Sequence, residues 1–215
     1  MWQVLRKKAE MPTADRALPG RKSPAFAVPT EHFVNHNRIQ PPFPAGLEQA
    51  MFGLGCFWGA EKKMWQIPGV VETEVGYQGG HYGPADYRTV CSGITGHAEM
   101  VKVVYDEAIV PTREILRVFW ENHDPTQGNR QGNDIGTQYR SVVYWTDDEQ
   151  RAEVEKTAAE FSAVLTAGGL DPITTEFDDA AQHPFHPAEE YHQKYLVKNP
   201  HGYDCHAHTG FYLPA

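Results

Sequence analysis

The stretch QAMFGLGCFWGAEKKMWQIPGV, residues 49–70, holds a strand, a helix and the signal that ends the helix. QAMFGLG reads as a short buried strand. Past it the period changes: Phe57, Ala60, Met64 and Ile67 recur at helical spacing, and Pro68-Gly69 stops the run. Cys56 stands where one period gives way to the other.

Outward from there the elements follow in order. VVETEVGY alternates as a strand, and a loop rich in glycine and tyrosine, GGHYGPADYRTVCSGITGH, leads to the strand EMVKVVYD. PTREILRVFWENH is a helix with Pro111 in its first turn and an apolar set of Ile115, Leu116, Phe119 and Trp120. DPTQGNRQGNDIGTQ is a long polar loop of the kind that is usually functional or disordered. YRSVVYW is strand-like, and Thr146 with Glu149 forms a capping box for a helix to about Leu165. ITTEF is a further strand, AEEYHQKYLVK a short helix, and NPHGYDCHAHTG a closing loop. The order β-α-β-β-α-β-α-β predicts an α+β fold: a two-layer α/β sandwich, ferredoxin-like, with helices packed against a mixed sheet. Residues 1–46, rich in proline and turn signals, read as an extended arm. Residues 47–198 form the body, and 199–215 a C-terminal loop.

Composition narrows the function. Hydrophobic content of 40% and charged content of 22% are those of a globular protein. A formal charge of −9 offers no basic field for nucleic acid, and no apolar run approaches the ~20 residues of a membrane span. The basic N-terminus lacks the apolar stretch of a secretory signal, so a cytoplasmic protein is expected. Cys56, Cys91 and Cys205 lie far apart and are odd in number, which is no disulfide framework; each thiol is judged singly.

A thiol at a helix N-terminus meets unpaired N–H groups and partial positive charge, which favour the thiolate and its nucleophilicity. Gly55 opens space before the sulfur, and Phe57 and Trp58 could wall a pocket for a small apolar group. A cysteine there is equally a small buried hydrophobe.

The rest of the chain breaks that tie. GCFWG, GYQGG, GHAE, QGNDIGTQYRS and HQKYLVKNPHGY together resemble the A-type peptide methionine sulfoxide reductases, over roughly residues 48–203. The resemblance implies Cys56 as the nucleophile toward a sulfoxide sulfur and Glu99 as the proton-bearing carboxyl. It implies Tyr87 and Tyr139 as hydroxyls holding the substrate oxygen, and Phe57 and Trp58 as the wall around the S-methyl. Asp134 matches an acidic residue that positions substrate. The chemistry fits the residue types: phenols donate a proton without bringing charge into a dry pocket, and burial keeps a carboxyl protonated.

By the same resemblance, Cys56 becomes a sulfenic acid, Cys205 resolves it to a disulfide, and thioredoxin reduces that disulfide. The tail departs from the family pattern: Asp204 directly follows Tyr203, Cys205 comes one residue later, and histidines and alanine replace glycines. Cys91 is expected to be structural. No metal or organic cofactor is implied, and a monomer acting on free and protein-bound S-sulfoxide is expected. Two rivals use the same letters. Eleven histidines, with His183, His186, His192, His206 and His208 crowded near Cys205, raise a zinc module, though without paired ligand spacing. A thiol peroxidase also needs an activated cysteine, but its peroxide would want a polar cradle where Cys56 has aromatic neighbours.

Overall fold

The computed structural model describes residues 9–204 and 207–215. Its four principal strands are β1 (Leu47–Leu54), β2 (Val70–Gln78), β3 (Ala98–Asp106) and β6 (Ser141–Trp145). They lie in the order β6-β1-β3-β2, every pair antiparallel. That is the ferredoxin-like arrangement the element order predicts. β7 (Glu176–Asp179) adds parallel to β6, and β8 (His186–Pro187) adds antiparallel to β2, so the six-stranded sheet is mixed. A ribbon of β4 (Arg130–Gln131) and β5 (Asp134–Ile135) stands apart.

Alternation divides the sheet's faces. Phe52, Leu54, Val75, Val101, Val103 and Val143 face the helices α1 (Phe57–Trp65), α3 (Thr112–Glu121) and α4 (Asp148–Ala167) in one continuous core. Met51, Met100, Val142 and Tyr144 face the other way and are covered by Phe185 and Ala180. A further helix, α2 (Tyr87–Val90), is a single turn, as is α5 (Tyr195–Lys198).

Three local expectations shift. The cap of α4 is Asp147, whose side chain accepts from Gln150 N–H; the Thr146 hydroxyl donates to Gln49 O instead. Pro111 is the cap of α3 rather than a residue of its first turn. AEEYHQKYLVK is helical only over α5, because Lys194 takes a left-handed φ of 52° and Gln193 spends its amide on both backbone groups of Val75. No helix among the described residues is long and apolar enough to cross a membrane.

Residues 9–46 have no helix, yet they are fastened along their length. Ala17, His32 and Ile39 are buried, Leu18 N–H donates to Ile94 O, and Arg21 pairs with Asp86 at 3.0 Å. The deepest fastening is ionic. Lys194, 1% exposed, donates to Glu61 of α1 at 2.5 Å and to Thr73 O at 2.7 Å, and lies 3.5 Å from Glu72. Burial holds His32 neutral, its pKa down at about 3. Its Nδ1 accepts from Val34 and Asn35 N–H, so its Nε2–H donates to Glu72 at 3.1 Å. Arm, strand, helix and C-terminal turn thus meet at one buried ammonium.

Candidate active site

β1 runs out at Leu54, and Gly55 turns the chain with φ +97° so that Cys56 caps α1. A Cβ on Gly55 would sit 2.8 Å from Gln131 Cγ, and the Gln131 side-chain amide is fixed by accepting from Asp124 N–H and donating to Asp124 O. Gly55→Ala therefore carries both left-handed strain and a clash with a buried side chain. We expect it to lower stability by about 3 kcal/mol, read from the denaturation midpoint, and to displace the thiol.

Backbone N–H groups of Trp58 and Gly59 face the Cys56 sulfur, as a helix start should present them. The thiol is nevertheless not acidic. Cys56 is 6% exposed, and that burial pushes its pKa well above the ordinary thiol range, with Glu99 and Asp134 acting in the same direction. The expectation of a thiolate poised at neutral pH is corrected on this point: loss of hydration outweighs two N–H groups and a helix end.

Glu99 lies on β3 in phase with Val101, Val103 and Tyr105, so it points into the helix layer, opposite Tyr77 of β2. Its Oε2 accepts the Phe57 N–H at 3.0 Å. Burial raises its pKa to about 8, against that hydrogen bond and helped by Asp134. At neutral pH Glu99 therefore carries a proton and sets no anion beside the thiol; its repulsion of a thiolate begins only above about pH 8.

The aromatic wall surrounds this pair. Phe57 is buried, with its ring 6.4 Å from Tyr87 and 5.8 Å from Tyr77, while half-buried Trp58 stacks on Tyr195 at 3.8 Å. Tyr87 opens α2, and Tyr139 closes a 3-10 turn, Thr137–Tyr139, held by Arg140 donating to Thr137 O and Gly96 O. Burial pushes both phenols up, and both feel Cys56 and Glu99. Asp134 on β5 accepts from the Tyr203 hydroxyl at 3.0 Å and bears on Cys56, Glu99 and Tyr139. Cys56, Phe57, Trp58, Tyr87, Glu99, Asp134 and Tyr139 thus gather in one place. Cys205 lies outside the described residues; the residue before it, Asp204, pairs with Lys62 of α1 at 2.9 Å. Cys91 follows α2 and shares a hydrogen bond with the Tyr87 side chain.

Two residues of the site escape a reading of the sequence. His192 Nδ1 accepts the Trp58 indole N–H at 3.0 Å, and Glu189 accepts from Tyr77 and Tyr87. Both sit in AEEYHQ, where a histidine count suggests metal ligands and a helical pattern hides what the side chains touch. The histidines in fact disperse: His183 stacks on Tyr144, His186 meets His97 edge-on, and His192 lies against Tyr87. Among the described residues no group of three or more His, Cys, Asp or Glu could hold a metal. A groove of about 260 Å³ lined by Glu107, Arg113, Asp147 and Glu153 lies elsewhere and has no cysteine in its lining.

Comparison with known proteins gives one answer. Residues 48–212 match the family model of peptide methionine sulfoxide reductase. A peptide methionine sulfoxide reductase MsrA of Pseudomonas aeruginosa is 54% identical over 213 residues, covering 99% of this chain and 98% of that protein. The Azotobacter vinelandii protein of the same name is 54% identical over 212 residues, 99% of this chain and 97% of its own. Methionine sulfoxide reductase A of Corynebacterium diphtheriae superposes with a TM-score of 0.81 at 38% identity, covering 96% of this chain and all of that one. Reduced Mxr1 of Saccharomyces cerevisiae gives 0.67 at 34% identity, over 81% and 96% of the two chains.

Proposed function

The chain belongs to the peptide methionine sulfoxide reductase family, and from that premise we propose how these residues carry out the reduction. The enzyme is an oxidoreductase that returns methionine sulfoxide to methionine. The observation that carries the residue assignment is the fully buried carboxyl of Glu99, its pKa raised by that burial, bonded to the N–H that follows Cys56.

A sulfoxide enters with its S-methyl against Phe57 and Trp58 and its oxygen toward Tyr87, Tyr139 and Glu99. Glu99 passes its proton to that oxygen, which makes the sulfoxide sulfur electrophilic, while Cys56 attacks and its thiol proton passes to the carboxylate left on Glu99. One hydroxyl passes to Cys56: thiol and sulfoxide become sulfenic acid and sulfide. The cysteine sulfur loses two electrons and the substrate sulfur gains them. Cys205 then condenses with the sulfenic acid, releasing water, and thioredoxin reduces the disulfide by exchange. Preference for the S-epimer is what the family resemblance implies, and one aromatic wall facing one hydroxyl cluster is consistent with it, since a chiral sulfur must place methyl, oxygen and chain together. Asp134 orients the chain of the substrate. We further place the enzyme in the cytoplasm as a monomer, acting on free and protein-bound sulfoxide.

Mixing the fully reduced protein with excess methionine sulfoxide and no reductant tests the cycle. About one equivalent of methionine per chain should form, with loss of two thiols, and thioredoxin with its reductase should convert this burst into steady turnover. A burst without thiol loss would refute the cysteine cycle.

A further inference from the structure

We propose that Glu189 is a positioning residue of this site, acting on the reaction through Tyr87; the inference rests on the role given to Tyr87 above. α2 is only four residues long, too short to hold itself in place. Its first residue, Tyr87, has a backbone N–H without an intrahelical acceptor. Glu189, 102 residues away in sequence, takes that N–H on Oε1 at 2.9 Å. Its other oxygen, Oε2, takes the hydroxyl of Tyr77 at 2.9 Å. A carboxylate only accepts, so both tyrosines are donors and the geometry is fixed in one sense.

Tyr77 is the better anchored of the two. It is fully buried on β2, stands opposite Glu99 across the ladder, and packs its ring 5.8 Å from Phe57. Glu189 therefore ties the helix that carries Tyr87 to the same strand pair that carries the proton donor. Behind it, Ala188 N–H donates to Val75 O and Gln193 exchanges both bonds with Val75, so the turn bearing Glu189 is itself laid on β2. The same turn reaches the opposite wall through His192. Burial holds that imidazole neutral with a pKa of about 4, and its Nδ1 accepts from Trp58, which leaves the ring proton on Nε2, 3.8 Å from Glu189 Oε2. One carboxylate thus sets the distance between the hydroxyl that meets the substrate oxygen and the strand that holds Glu99.

A double-mutant cycle decides the matter. Glu189→Ala is expected to lower kcat about tenfold with KM changed by less than about threefold, because Tyr87 is displaced from an oxygen it holds most tightly in the transition state. Glu189→Gln should recover most of the loss: its carbonyl accepts the Tyr87 N–H and the Tyr77 hydroxyl turns to accept from its amide. Glu189→Asp keeps the charge but is one methylene short, and should behave like alanine; it carries the test where alanine fails to fold. On a Tyr87→Phe background Glu189→Ala should cost less than about twofold more. A full tenfold loss on that background, or a failure of Glu189→Gln to recover activity, overturns the inference and leaves the role of Tyr87 standing. A fully active Tyr87→Phe overturns the role of Tyr87 and the inference with it.

Discussion

Cys56→Ser brings methionine formation down to the uncatalysed background, whereas Cys205→Ser forms about one equivalent per chain and then stops. The two outcomes separate attack from recycling. A serine hydroxyl at position 56 offers no sulfur to take up the substrate's oxygen, and receiving it would require an oxygen–oxygen bond. Nothing else among the gathered residues offers a sulfur: Glu99 and Asp134 are carboxyls, and burial raises the phenols of Tyr87 and Tyr139 far from ionisation. In the proposed cycle Cys205 acts only after the oxygen has moved, so its removal leaves the first step intact and strands the sulfenic acid. Methionine quantified after rapid acid quench, with and without thioredoxin, distinguishes the two variants. Continued thioredoxin-driven turnover by Cys205→Ser would transfer the resolving role to Cys91 or to an outside thiol.

Glu99→Gln is expected to slow the oxygen-transfer step by about 10²–10³-fold and, at the same time, to make the protein more stable. The activity loss follows because an amide keeps the shape of the protonated carboxyl but gives no proton. The stability gain follows from linkage. The folded Glu99 carboxyl has its pKa raised to about 8 from 4.5, so the folded state binds a proton that the unfolded state releases. A raised carboxyl pKa favours folding fully below about 4.5 and loses that advantage as pH climbs toward 8. At pH 7 the cost amounts to about 3 kcal/mol, which glutamine avoids. Thermal melts of both proteins should converge near pH 4.5 and diverge toward pH 8, the variant melting higher. Wild-type single-turnover rates should fall above about pH 8, where Glu99 loses its proton. An unchanged melting difference across that range would mean that Glu99 is ionised in the fold.

What the sequence discloses here is periodicity and identity. The change of period at Cys56 locates the helix start, and the phase of Glu99 with Val101 and Val103 is enough to aim it at the same layer. Cys205 apart, which lies outside the described residues, the residues recognised by resemblance gather around the thiol because strand ends and glycine turns bring them there. Two things were hidden. The thiol's acidity depends on how much water reaches it, and burial is a property of the assembled fold rather than of a helix end. Glu189 and His192 were hidden differently. Their role depends on contacts with Tyr77, Tyr87 and Trp58, more than a hundred residues away, and on a turn at Lys194 that interrupts an otherwise helical pattern.

The ammonium shared by Glu61 and Glu72, with His32 behind it, bears on how this protein can change over generations. Exchanging Lys194 or Glu61 for an apolar residue strands a charge in a dry interior, and exchanging Glu72 or the neutral His32 breaks a buried hydrogen bond, so each is constrained while the others remain. Drift at these four positions must proceed jointly, which predicts their covariation in descendants and binds the fate of the amino-terminal strap to that of the helix bearing the nucleophile.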